Sequence, residues 1–220
     1  MPFIMWLGKP QEDGPLAEYG QLMLKCEQRL DCVDHLLTPA RPLTSWAIRE
    51  SVFLQFRLIC ETLAIASLMA HNDLDGAQSL HRTYAADELM NRLASLHPDY
   101  FPLAVTKVTR QGKSYTKPIE LDEAVTRDEL VALYRQAGSI LHVGSLKRVR
   151  KGGFDITPFT HMRQMSARLR RLITTHWIIH HQAPTGLICQ IHDLLPGRVS
   201  VMPWTGAVAR KADDGAADHS

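Results

Sequence analysis

No Walker-type phosphate loop, GxGxxG, GxSxG or HExxH occurs in the 220 residues. The nucleotide-binding, hydrolase and metalloprotease chemistries that those motifs carry therefore have no support. Cysteine is scarce: Cys26, Cys32, Cys60 and Cys189 form no CxxC pair. Cys60 lies in a strongly apolar segment, so these residues are expected to be small buried hydrophobes in a reduced compartment. Aromatic residues make up 7% of the chain and are scattered among apolar positions, which offers no base-stacking platform. The longest apolar stretch, 58–70, is interrupted by Glu61 and falls short of the roughly 20 residues a bilayer needs. The apolar N-terminus has no basic leader and no small-residue cleavage site. A cytoplasmic protein with no membrane insertion is the expectation.

A hydrophobic share of 45% and a charged share of 22% exclude a disordered or fibrous class. A chain of this length buries roughly 70% of its unfolded surface, so neither metal nor disulfide is needed for stability. One domain over 1–205 is expected, with 206–220, rich in Gly, Ala and Asp, as a disordered tail. The formal charge of +2 hides an asymmetry. Eight basic residues and one acid between 147 and 171 give that window +7, leaving −5 for the rest. A positive region of this kind points to anionic partners.

Apolar periodicity predicts helices over 15–37, 45–71 and 77–96, the second apolar on nearly all sides and so central to the fold. Residues 103–121 change to a strand-like period around Gln111-Gly112, which reads as a β-hairpin. Thr126 with Glu129 three residues on forms a capping box that opens a helix to 142 or 143, ended by Gly144. Gly152-Gly153 is read as a loop and 157–181 as a last helix. Residues 187–191 and 199–202 form a small hairpin about Pro196-Gly197. The expected fold class is mainly α, a bundle of about five helices with one or two small β-hairpins.

In the helix from 126 to 142, Leu130, Leu133, Tyr134, Ala137 and Leu141 must face the core. Arg135 and His142 lie seven residues apart, within about 20° of each other on an outer flank, with Ser139 close to it. A histidine can exchange a proton near neutral pH. An arginine beside it can hold phosphate or stabilise charge developing on it. Lys147, Arg148, Arg150 and Lys151 follow directly and suit a polyanion backbone.

The stretch YRQAGSILHVGSLKR resembles the Arg-x(4–6)-His motif of the HEPN superfamily. That resemblance implies a helical bundle that dimerises so that two motifs meet, and in many members metal-independent cleavage of RNA. It would make Arg135 and His142 the catalytic pair, with His142 activating a ribose 2′-hydroxyl and Arg135 steadying the phosphate. A ribonuclease of a toxin or defence system would follow, with RNA, a second copy and a protein such as an antitoxin as partners and no cofactor. The other reading is a non-catalytic interaction or regulatory protein whose basic segment 147–171 contacts an acidic partner.

Glu50, Arg57 and Glu61 share one stripe of the central helix. Charges there must be paired, either as an Arg57–Glu61 packing pair or as a network supporting the Arg135/His142 flank. His176 and His180, with His181, fall near the end of the last helix, where an i, i+4 pair can share a metal. No carboxylate ligand sits beside them, and no metal site is expected.

Overall fold

The computed structural model describes residues 6–7, 14–38, 43–110, 113–120, 122–142, 157–181, 185–192 and 197–205. In chain order these form β1 (Trp6–Leu7), α1 (Pro15–Leu36), α2 (Ser45–Ala70), a 3-10 turn (Ala77–Arg82) and α3 (Ala86–Leu96). Then come β2 (Leu103–Arg110), β3 (Lys113–Pro118), α4 (Arg127–Leu141), α5 (Phe159–Thr174), β4 (Thr175–Ile179), β5 (Thr185–Ile191) and β6 (Val199–Thr205). All strand pairs are antiparallel, in the order β1-β6-β5-β4-β2-β3.

The fold is therefore mixed α/β, not a helical bundle with isolated hairpins. The overturning element is β4. Ile173 to Ile179 is rich in β-branched and aromatic residues, which fit a pleated, half-buried surface; α5 stops at Thr174 and the chain continues extended. Once formed, β4 pairs β5 on one side and β2 on the other, so both expected hairpins become parts of one sheet. The expected third helix also divides, with the 3-10 turn ending at Arg82 and α3 starting at Ala86.

Strand alternation sorts the sheet into two faces. His176, Ile178, Leu187, Cys189 and Val201 turn towards the helices and join one core with Tyr19, Phe53, Phe56, Leu130 and Leu169. Val105, Trp177, Ile188 and Trp204 form a second buried cluster on the opposite face. There the Trp204 ring covers Gly186 so closely that a Cβ would stand 2.8 Å from it and 2.0 Å from the Ile178 carbonyl. The Trp204 indole N–H donates to the Leu187 carbonyl at 3.0 Å.

Helix α2 packs against α1, α3 and α4. It is long and apolar enough to cross a membrane, and 56% of its most apolar window is buried inside this fold. The predicted tail, the Gly152-Gly153 loop and Gly144 lie outside the described residues.

Candidate functional site

The capping box that opens α4 forms as its spacing predicts. The Thr126 hydroxyl oxygen accepts from the Glu129 N–H, and the Glu129 carboxylate accepts from the Thr126 N–H at 2.9 Å. This fixes the phase of the helix: Leu130, Val131, Leu133, Tyr134 and Ala137 turn inward and Arg135, Ser139 and His142 outward. Arg135 and His142 share a flank, as expected, but no hydrogen bond joins them. Seven residues of helix separate them by about 10 Å along the axis. Arg135 instead leans to α3, where its Nε donates to Asp87 Oδ2 at 2.9 Å. Ser139 donates to the Gln136 carbonyl at 2.8 Å. His142 is the C-cap of α4: its backbone N–H reaches the Gly138 carbonyl at 3.2 Å and its side chain is exposed.

A different arginine approaches this end of α4. Arg57 of α2 is positioned by three contacts. Its Nε donates to Glu61 Oε1 at 3.0 Å, and its Nη2 donates to the Tyr134 hydroxyl at 3.1 Å. Its guanidinium carbon lies 4.7 Å from the centre of the Tyr134 ring, within range of a cation–π contact. Its Nη1 lies over Gly138, 3.0 Å from where a Cβ would be. Arg57 and Glu61 remain 28% and 31% exposed, so the cation is anchored yet accessible. Glu50 is exposed and bonds neither Arg57 nor Glu61, so it falls outside this network.

Gly138 stands one turn after Tyr134 and His142 one turn after Gly138, the face rotating from the buried side of α4 to its exposed side. The guanidinium of Arg57 therefore lies over Gly138, whose backbone position is one helical turn before that of the exposed His142. Read from the sequence, Tyr134 is only a core residue and Gly138 carries no role. The available signal is the glycine itself, since a mid-helix glycine costs about 1 kcal/mol and calls for a packing reason.

The positive window is far less free than its composition implies. Arg163 donates to the Leu37 carbonyl. Arg168 forms a bidentate pair with Glu129, both bonds at 2.7 Å, which holds that carboxyl down at about 2. Arg170 bonds Asp31 at 2.9 Å and Asp34 at 2.8 Å, and Arg171 donates to the Glu123 carbonyl at 3.1 Å. Lys147, Arg148, Arg150 and Lys151 lie outside the described residues.

The expected helical pair His176/His180 does not exist, because His176 sits in β4. Four residues of strand span about 13 Å, too far for two side chains to share one ion. His176 is wholly buried. Its Nδ1–H donates to the Ile173 carbonyl at 3.2 Å, so its Nε2 accepts from the Tyr19 hydroxyl at 2.7 Å. Burial pushes its pKa down to about 4. Among the described residues no group of three or more His, Cys, Asp or Glu side chains is arranged to hold a metal ion.

Comparison with protein-family models, curated protein sequences and solved structures finds no match to this chain. The α2–α4 site holds one anchored cation, a carboxylate and a phenol that orient it, and, at the end of the same helix, one exposed imidazole.

Proposed function

We propose that this protein is a HEPN-like, RNA-directed protein that cleaves RNA without a metal ion, using His142 with Arg57 rather than Arg135. The observation that carries this reading is the placement of Arg57 over Gly138, one helical turn from His142. Arg135 is tied to Asp87 on the α3 side.

In the proposed step His142 accepts the proton of a ribose 2′-hydroxyl, and the 2′-oxygen attacks the adjacent phosphorus. The P–O5′ bond breaks, leaving a 2′,3′-cyclic phosphate, and the departing 5′-oxygen takes a proton from solvent to become a 5′-hydroxyl. Arg57 holds the phosphate as charge develops on its oxygens. Glu61 and Tyr134 are positioning residues that keep the guanidinium from swinging away.

Wild-type protein, Arg57→Ala, His142→Ala and Arg135→Ala are incubated with RNA in EDTA and the product ends analysed. Cleavage is expected to survive Arg135→Ala and to fall at least 100-fold in the other two, the range in which acid–base and oxyanion contacts act. Cleavage that survives Arg57→Ala and His142→Ala excludes this site. A wild type inert on every RNA class tried favours the non-catalytic reading, for which the exposed apolar side chains Trp46, Leu54 and Ile65 of α2 supply a contact face.

A further inference from the structure

We propose that the β2–β3 hairpin is a cationic arm that grips the phosphodiester backbone of single-stranded RNA, with the cleft at its base as the point of entry. The polyanion's identity rests on the RNA reading above, but nothing in the argument depends on the α2–α4 site.

Topology makes the hairpin an arm. β2 pairs with β4 only through Leu103↔Trp177 and Ala104↔His176, because β4 begins at Thr175. From Val105 to Arg110, β2 is paired with β3 alone among the described residues. These six residues rise about 20 Å, so a two-stranded ribbon runs past the sheet edge, alongside the end of α5.

The arm's charge is of one sign. Residues 103–118 contain Lys107, Arg110, Lys113 and Lys117 and no Asp or Glu. The register sets Arg110 opposite Lys113. Lys107 and Lys117 are exposed and form no ion pair among the described residues. Thr116, opposite Lys107, keeps a buried hydroxyl with no partner among the described residues. Isolated basic residues usually mark only a solvated surface; Lys107 and Lys117, exposed on one ribbon whose sequence holds no acid, with Arg171 at its base, mark an anion-binding element.

A cleft of about 590 Å³ opens where β2 leaves β4, lined by Thr106 and Lys107 of the arm, Arg171 and Thr174 of α5, and Glu123. Arg170 also borders it but is held by Asp31 and Asp34. Lys107 and Arg171 thus line the cleft from two elements, with the side chains of Thr106, Thr174 and Thr175 and the Glu123 carboxylate in the same lining; the cations and hydroxyls are the donors a passing phosphate requires. The arm was invisible as a site in the sequence because its cations are spaced along two strands instead of forming a run.

The test uses the full chain and a fluorescent, single-stranded 2′-O-methyl oligoribonucleotide, which has the phosphates but no 2′-hydroxyl to be activated. Binding is titrated from 0.05 to 0.5 M salt for wild type, for Lys107→Gln/Lys117→Gln/Arg171→Gln and for Lys107→Arg/Lys117→Arg. Each lost phosphate contact lowers the slope of log affinity on log salt by about 0.7, so the neutralised variant should lose about 2 in slope, or about 100-fold in affinity at 0.1 M. The arginine variant should bind like wild type. An unchanged slope and affinity in the neutralised variant, or an equal loss in the arginine variant, overturns the arm. If wild type fails to bind the oligonucleotide, the arm falls together with RNA as target. Arm-dependent binding without cleavage of unmodified RNA leaves the arm standing and removes only the nuclease step.

Discussion

A mid-helix glycine ordinarily weakens a helix by about 1 kcal/mol relative to alanine, yet Gly138 sits in α4 where alanine would continue the helix. The reason is lateral: a Cβ there would stand 3.0 Å from Arg57 Nη1, and the guanidinium cannot move aside without straining its bonds to Glu61 and Tyr134. Stability and function should therefore respond in opposite directions to Gly138→Ala. The better helix former should leave the thermal midpoint at or above that of wild type, while displacement of the cation by a few tenths of an ångström lowers RNA cleavage about tenfold, given that about 1 Å can cost 100-fold. Calorimetry and turnover on the same preparation decide it. Unaltered cleavage would mean that the space above Gly138 is not what seats the guanidinium.

At the scale of elements, the start of α4 is fixed twice over, because Glu129 closes the capping box and also receives Arg168 from α5. Thr126→Ala should cost about 1 kcal/mol, the usual worth of an N-cap. Arg168→Met should cost more, since it also leaves the Ala124 carbonyl without the Arg168 Nη2–H donor at 2.7 Å. Urea midpoints at unchanged m-value check this order, and a larger loss from Thr126→Ala would show that α5 does not brace the helix start. The capping box was legible because its two partners stand three residues apart. The same is true of Arg57–Glu61, an i, i+4 pair, and of the outer placement of Arg135 and His142. What could not be read are pairings across long stretches of chain: Arg57 with Tyr134, 77 residues on, and Arg135 with Asp87, 48 residues back. Those two contacts tie Arg57 to α4 and Arg135 to α3. β4 was hidden for a related reason, since its apolar residues continue an α5 pattern and only its partners β2 and β5 make it a strand.

For the whole molecule, joining the sheet to the helices places titratable rings at the seam, and this sets how the fold responds to acid. His176 is buried against Tyr19 of α1, and burial pushes it down to about 4. His71, at the end of α2, is also pushed down to about 4 by burial, with the rings of His97 and His180 opposing its charge and Asp73 favouring it. Its Nε2–H donates to the Tyr100 carbonyl at 3.0 Å. Both imidazoles are neutral in the folded chain and regain a pKa near 6.5 on unfolding. The unfolded state therefore binds more protons between these values, and stability present above pH 6.5 is lost as pH falls towards 4. Two such groups give a slope of up to about 2.7 kcal/mol per pH unit. Below about 4.5 the protonation of Glu129, held down first by its bonds to Arg168, adds a further loss in the same direction. Urea unfolding at closely spaced pH values between 7.5 and 4 should show this fall, and His176→Gln should remove about half the slope above pH 5. A stability flat across that range would mean that the seam opens to water around both rings before the core unfolds.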